Sequence, residues 1–493
     1  MESSVNTQIL LFFSYNKISL FLSLFQNHHR EKETLTFNLK RPKREKMNML
    51  MLKKSLVKHW FVIFISPFIL CVSCLILSKY FMKGVSPTFH APKKLDPCLG
   101  QYIYVYDLPS RFNDDLLKGC NTLIKWENMC PYLSNLGLGP KIIEESNETV
   151  ISKKNWYATH QFSLEVIFHN IMKDYKCLTN DSSLASAIYV PYYAGLDVGR
   201  YLWGGFNISI RDESPNQLVK WLAQQSQWKR MYGKDHFMVG GRVGYDFRRG
   251  SDKDEDWGTK LMFLPEASNI TILLIESCAD KEFPLYENEF AIPYPTYFHP
   301  SNDDEIFEWQ RKMRNRKREY LFSFVGAPRP NLTSSIRNEL IDHCQSSKSC
   351  KLVGNHFGDP VHVLDVFQKS VFCLQPPGDS FTRRSTFDSI LAGCIPVFFH
   401  PHSAYKQYMW HFPKNNSSYS VFIPETDVKR KRVMINETLF NVQESEVLEM
   451  RDEVIRLIPK IVYRYPSSRL ETLDDAFDVA VKGVLQRIEE MKR

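Results

Sequence analysis

The chain has 493 residues, 43% of them hydrophobic and 24% charged, with a net charge of +8. That length exceeds one ordinary core and the composition is that of a folding chain, so two or more domains are expected and a largely disordered protein is excluded. The positive excess lies in local runs (Lys40–Lys46, Arg311–Arg318, Lys429–Arg432) without a basic–aromatic module, which argues against a nucleic-acid partner.

In chain order, the first organised feature is His59–Leu77, HWFVIFISPFILCVSCLIL, which contains no Asp, Glu, Lys or Arg. It is long enough to cross a bilayer. Lys53, Lys54 and Lys58 precede it, so the positive-inside rule places the N-terminus in the cytosol and the long C-terminal part in a lumen. The expected layout is a cytosolic segment 1–58, a signal anchor 59–77 and a short stem 78–97. Ile9–Phe25 is apolar but interrupted by Asn16 and Lys17. The simplest account of residues 1–46 is that Met47 is the working start, which N-terminal peptides upstream of Met47 would overturn.

A lumenal address makes Asn-x-Ser/Thr sequons usable, and eight occur: Asn147, Asn180, Asn207, Asn269, Asn331, Asn415, Asn416 and Asn436. It also permits disulfides. Nine cysteines follow the anchor, an odd number, and Cys373 and Cys394 in apolar strands are expected to be buried free thiols. With no C-x-x-C beyond the anchor, a zinc site is not expected.

The folded part opens at Cys98. Strands are expected at Tyr102–Tyr106, Ala187–Pro191, His236–Val239 and Thr271–Glu276, with helices at Asn155–Met172 and Leu218–Trp228. The segment Tyr192–Gly205 reads as a Gly-rich aromatic loop. Past Pro300 come helices at Asp303–Glu319, Ser334–Cys344 and Val361–Lys369, strands at Tyr320–Val325 and Leu352–Val353, and closing helices at Glu444–Lys460 and Leu473–Lys492. Alternating strands and helices predict an α/β fold of doubly wound parallel sheets, in two domains spanning 98–300 and 301–493.

The most informative stretch is Val371–Pro401, VFCLQPPGDSFTRRSTFDSILAGCIPVFFHP. It reads as strand, loop, helix and strand, with Asp379 or Ser380 as the helix N-cap. The loop offers Gly378, Ser380 and Thr382, a helix N-terminus, and Arg383 and Arg384 in the first turn. N–H groups, a positive dipole end and guanidinium groups together suit a diphosphate. Asp388, four residues after Arg384, is placed to accept from a ribose; the alternative is a plain ion pair between the two.

Several stretches taken together resemble the plant exostosin-like glycosyltransferases, in their xyloglucan galactosyltransferase branch. They are CLGQYIYVYDLPSRFN, KCLTNDSSLASAIYVPYYAGLD, GKDHFMVGGR with DFRR, IPYPTYFHPS, LFSFVGAPRP with SIRNELIDHC, and the Val371–Pro401 stretch continued to YSVFIPETDV. The resemblance runs from about Cys98 to near the C-terminus. It implies a Golgi type II membrane protein of GT-B fold, with two Rossmann-like domains facing a cleft. It also implies an inverting transfer from UDP-galactose to xylose side chains of xyloglucan, a wall hemicellulose, without a bound metal or other cofactor. Expected partners are therefore the donor, xyloglucan, the Golgi membrane and other Golgi glycosyltransferases. The chain departs from its likeness at Tyr245, where relatives often carry Trp, and in LVGNHFGDPVHVLDVF, which lacks their Cys residues.

An inverting transfer needs a base, stabilisation of the leaving diphosphate and in-line positioning. The diphosphate and ribose roles fall to Arg329, Ser380, Thr382, Arg383, Arg384 and Asp388. Candidate bases, in order, are Asp197, Asp246 and His236, against the commoner fates of an ion-paired Asp246 and a satisfied core His236. Glu276 is a further strand-end candidate, and His299 at the joint could touch the donor or serve as a hinge. Tyr192, Tyr193 and Trp203 suit stacking on an acceptor sugar. Competing readings are another donor such as UDP-galacturonic acid, and a non-catalytic carbohydrate-binding partner in a Golgi synthase complex. No pair of carboxylates marks a glycoside hydrolase.

Overall fold

The computed structural model describes residues 96–143, 150–277, 288–329, 332, 335–354 and 359–493. The expected span His59–Leu77, everything before it, Cys278, and the sequons Asn147 and Asn331 lie outside the described residues. Among the described residues no helix is long and apolar enough to cross a membrane. Leu95–Arg493 forms one compact unit.

Two five-stranded sheets organise that unit, and every pairing in both is parallel. The first runs β1 (Tyr102–Val105), β2 (Ala185–Tyr189), β3 (His236–Val243), β4 (Thr271–Glu276) and β5 (Glu289–Ala291), side by side in chain order. β4, TILLIE, is buried along its whole length. Such a continuous apolar strand belongs inside a sheet covered on both faces. Helix α1 (Leu164–Lys173) packs Phe168 and Ile171 on one face, and α2 (Glu213–Gln224) packs Leu218 and Leu222 on the other.

The second sheet has the order β10-β9-β8-β6-β7, from β6 (Tyr320–Val325), β7 (Cys350–Val353), β8 (Ser370–Gln375), β9 (Ile395–Phe398) and β10 (Val421–Phe422). The chain moves outward from β6 to β7, then crosses back to β8. The doubly wound reversal expected for both sheets is therefore present only here, and β6/β8 is its switch point.

The two sheets share one core. Trp156 stacks on Phe298 with centroids 5.0 Å apart and meets Trp309 at 4.7 Å. The last helix, α3 (Ala476–Lys492), returns to the first sheet, where Phe477 lies 4.6 Å from Phe168. A boundary near residue 300 thus separates the sheets but not all of the helices.

Disulfides join Cys98 to Cys177, Cys120 to Cys130, Cys344 to Cys350 and Cys373 to Cys394. The last corrects the free-thiol expectation. Cys373 on β8 and Cys394 just before β9 lie on neighbouring strands with Cα atoms 5.9 Å apart, a separation that a disulfide spans. Several boundaries also shifted. The helix expected from Asn155 begins at Leu164, and the segment expected as a loop contains a short helix, Ala194–Gly199. Glu165 supplies the reason for the latter. Its buried carboxylate accepts from the N–H groups of Gly195 (2.6 Å) and Leu196 (3.1 Å), satisfying that helix's first donors.

Among the described sequons, Asn180, Asn207 and Asn415 are exposed, and Asn416 and Asn436 are half-buried. Asn269 uses its amide nitrogen to donate to Tyr232 O at 2.9 Å, the same nitrogen that a glycan would occupy.

Candidate active site

The loops leaving β6 and β8 open at the switch point. The β8 loop packs Arg383 directly against Gly378; a Cβ on Gly378 would lie 1.3 Å from Arg383 Nη2. Arg329 Nη2 donates to Asp379 Oδ2 at 3.1 Å, and Arg383 Nη2 lies 3.5 Å from the same oxygen. Arg337 stands close enough to feel both. Burial first, then Arg383 and Arg329, pull its pKa down to about 10. Arg383 Nε and Nη2, Arg384 Nε and Nη2, and Arg337 Nε are buried and make no hydrogen bond. Buried donors in that state are uncommon and call for an acceptor. A cluster of four arginines around one loop asks for an anion of high charge.

The helix after this loop, Arg384–Leu391, starts later than the sequence suggests, with Arg383 as its N-cap. Ser380 and Thr382 therefore precede the helix, and their donors are already in use. Ser380 Oγ donates to Glu276 Oε1 and the Thr382 N–H to Glu276 Oε2, both at 2.9 Å. Thr382 Oγ1 donates to Ser403 O at 2.5 Å. Glu276, the last residue of β4, so joins the carboxyl edge of the first sheet to the β8 loop of the second. Tyr294 OH also donates to it. Burial pushes the Glu276 carboxyl up to about 7, against the pull of its donors and of Arg383.

Arg384 faces the first sheet. It donates to Thr159 O and lies 3.6 Å over the Tyr297 ring. Its Nε is 3.5 Å from Asp388 Oδ2. Asp388 is only 4% exposed, and burial raises its carboxyl to about 6 despite Arg384. It is thus part of a buried ion pair, the alternative that its spacing also offered, while its Oδ1 is buried and makes no hydrogen bond. His299 is also internal, bonded to Thr159 Oγ1 and Tyr463 O at 2.8 Å each, and burial holds it neutral, down to about 4.

The expected bases are all engaged. Asp197 is 1% exposed and accepts from Arg200, from Tyr192 OH at 2.7 Å and from Ser214 at 3.3 Å. His236 is fully buried between Asp235 (2.7 Å) and Tyr106 OH (2.9 Å), the ordinary fate of a core histidine. Asp246 is buried, paired with Arg242 at 3.2 Å and accepting from Trp257 Nε1 at 2.7 Å; Arg248 pairs elsewhere, with Glu289. Tyr192 and Tyr193 are core side chains at 2% and 1% exposure and offer no face to a sugar. Of the residues expected to stack, Trp203 alone reaches the surface, against Trp126 and Trp257.

Sequence reasoning missed a pair beside Arg384. His160 follows Thr159, and its Nε2 lies 3.4 Å from Glu127 Oε2. Its Nδ1 accepts from the Phe162 N–H at 3.2 Å, so the neutral ring carries its proton on Nε2, toward Glu127. Burial, then Arg384 and Arg242, hold His160 neutral by pulling its pKa down to about 3. Glu127 remains a third exposed. Nothing in the local sequence marks Glu127 and His160 as a pair, since 33 positions separate them.

At the same edge a cavity of about 190 Å³ is lined by Pro377, Gly378, Phe381 and His400, with Tyr245 from the turn after β3. Phe381 and His400 stack at 4.5 Å. Its size suits one ring system, below the span of a whole ligand pocket of about 300 Å³ or more. A larger cavity of about 890 Å³, lined by Ser420, Glu446 and Arg456, lies toward the amino end of β10, away from these groups. Among the described residues no cluster of three or more His, Cys, Asp or Glu could hold a metal ion. Asp252 and Asp254, spaced as in the D-x-D motifs that hold metal ions in some glycosyltransferases, serve Lys260 and the Ile208 N–H.

Parallel sheets with opposed carboxyl edges, and an arginine cluster at the switch point, describe a transferase for anionic donors. The Exostosin GT47 domain profile matches residues 97–439, and the chain belongs to that glycosyltransferase family. Among curated proteins it is similar to "Xyloglucan galactosyltransferase MUR3" of Arabidopsis thaliana, 54% identical over 405 residues, 81% of this chain and 64% of that protein. "Probable xyloglucan galactosyltransferase GT14" of the same plant is 55% identical over 406 residues, 81% of this chain and 76% of that one. "Xyloglucan galactosyltransferase XLT2" is 43% identical, over 80% and 76% of the two chains. The chain thus spans just under two thirds of the length of the first of these relatives. Among solved structures, a "GtfA/B complex" chain aligns at TM-score 0.31 and 10% identity, over 71% of this chain and 65% of that one, and adds nothing to the fold described above.

Proposed function

We propose that this chain is an inverting galactosyltransferase of GT-B architecture that moves galactose from UDP-galactose to xylose side chains of xyloglucan. The observation that carries the reading is the cluster of Arg329, Arg337, Arg383 and Arg384, of which the last three hold buried guanidinium nitrogens without a hydrogen bond. These cations take the diphosphate, and the Phe381–His400 cavity takes the uracil ring. Four guanidinium groups supply the positive charge that other transferases draw from a metal ion, so no resident metal is included. The names of the relatives support the donor and acceptor. The apolar span His59–Leu77 supports a type II anchor in the Golgi membrane, with this unit in the lumen beside other glycosyltransferases.

In the reaction the xylose hydroxyl attacks C1 of galactose on the face opposite UDP. The C1–O bond to the diphosphate breaks and its electron pair leaves with UDP, held by the arginines. The new C1–O bond forms with inversion. Glu127 takes the hydroxyl proton, and the His160 Nε2–H orients its carboxylate.

The test incubates the full chain with xyloglucan lacking galactose and a panel of UDP-sugars, then reads product mass and anomeric configuration. A hexose gain from UDP-galactose, in the β configuration, is expected. A gain from UDP-galacturonic acid alone changes the donor. UDP binding with no product from any acceptor replaces the enzyme reading with that of a carbohydrate-binding partner.

A further inference from the structure

Three tryptophans the reaction above does not use come together on the first sheet's carboxyl edge. Trp126 is 62% exposed and Trp257 45%. Both meet Trp203 edge to face, with ring centroids at 4.2 Å and 5.4 Å and ring planes 71° and 76° apart. A satellite core cluster would bury such rings. Exposed aromatic area of this kind marks a contact surface.

The three come from different loops, which follow the carboxyl ends of β1, β2 and β3. That is the edge at which parallel α/β sheets bind ligands. Each loop is also held. Trp126 sits in a turn closed by the Ile124–Glu127 bridge and, outside it, by the Cys120–Cys130 disulfide. Trp257 is tethered through Nε1 to Asp246. Next to Trp203, Gly204 and Gly205 take φ of +126° and +70°, a left-handed turn open to glycine. Rigid aromatic rings presented this way bind with little ordering cost.

The cluster is continuous with the donor arginines. Arg242 lies 5.6 Å over Trp203 and 4.0 Å over Phe162. Phe162 meets His160 at 5.4 Å, and the neighbouring Thr159 O accepts from Arg384. Trp126 itself adjoins Glu127 in sequence.

We infer that Trp126 and Trp257, each set edge to face against Trp203 between them, form a platform whose ring faces take the β-glucan backbone of the acceptor, positioning one side chain at Glu127. This rests on the acceptor reading above. A β-linked glucan is a flat ribbon whose ring faces present C–H groups and whose edges carry the hydroxyls. Indole faces match the former by stacking. A ligand binding by charge would need cations in place of these rings.

The experiment uses the full chain, the variants Trp126→Ala, Trp257→Ala and their double, and two acceptors. One is a xyloglucan oligosaccharide with several backbone glucoses; the other is the xylosyl-glucose disaccharide. UDP affinity is read by calorimetry on the same preparations and reports the integrity of the arginine site. The expected result is a KM for the long acceptor raised about tenfold per indole removed, the size of one aromatic stacking contact. The KM for the disaccharide and the UDP affinity stay at the wild-type values. If the wild type turns over the long acceptor and the double variant does so with the same KM, the platform is overturned and the enzyme reading stands. If the wild type neither binds nor glycosylates xyloglucan, the acceptor reading falls and the platform falls with it.

Discussion

The clasp between the two sheets makes a pH prediction through Glu276. Its carboxyl is buried and pushed from the ordinary 4.5 up to about 7. Between those values the folded chain keeps a proton that the unfolded chain releases. The stability this protonation contributes is complete below pH 4.5 and is lost as pH rises through 7. A displacement of that size corresponds to roughly 3 kcal/mol between pH 4.5 and pH 8, at about 1.4 kcal/mol per pH unit. Glu276→Gln cannot ionise, yet its carbonyl oxygen can still accept from Ser380 Oγ or the Thr382 N–H, which the carboxylate now holds at 2.9 Å. Urea unfolding of the full chain and of the variant, at pH 5 and pH 8, reads the difference. The variant should gain on the wild type by roughly 2–3 kcal/mol between the two pH values. Glu165 (to about 7) and Asp388 (to about 6) change stability in the same direction, and His160 (to about 3) in the opposite one, but all three act equally in both proteins and cancel. A gap between variant and wild type that is the same at pH 5 and pH 8 refutes the buried-acid account of the clasp.

Other outcomes follow from the same geometry. Arg384→Lys keeps the charge but loses the fork that reaches Thr159 O and Tyr297, and should weaken UDP binding about tenfold or more in calorimetry; unchanged affinity with a lowered unfolding midpoint would leave Arg384 as a structural ion-pair partner. Gly378→Ala must displace Arg383, because its Cβ would lie 1.3 Å from Nη2, and should cost UDP affinity while the far-UV spectrum holds. Cys373→Ser should lower stability by about 3 kcal/mol, the scale for a disulfide closing a loop of this length; in the unreduced, unfolded wild type neither Cys373 nor Cys394 should take an alkylating label. Glu127→Gln should lower kcat with UDP affinity unchanged, and a wild-type kcat removes Glu127 from the base role.

The sequence alone carried the class of the fold and the make-up of the arginine-bearing loop after β8. Strands such as TILLIE and YLFSFV are apolar throughout, and that pattern depends only on burial from both faces, so it can be read without a structure. The PPGDSFTRR stretch was legible for the same kind of reason. Loop, N–H groups and arginines lie within a few residues of each other, and local chemistry is written locally. The tertiary structure decided what depends on distance in space. It made Glu276 the partner of Ser380 and Thr382, 104 and 106 positions away, and so took two expected phosphate donors into a clasp. It turned Asp197, Tyr192 and Tyr193 inward, because helix and loop that composition cannot place pack over the carboxyl end of β2, and it set His236 at the amino end of β3, between Asp235 and Tyr106. Cys373 and Cys394 each look like core thiols in their own strands; only the neighbouring positions of β8 and β9 in the sheet bring them within bonding range. The turn bearing Trp126 and Glu127, the segment bearing His160 and the loop bearing Trp257 share no motif. Strand order and the Cys120–Cys130 disulfide gather them at one edge, and a one-dimensional pattern holds no record of that meeting.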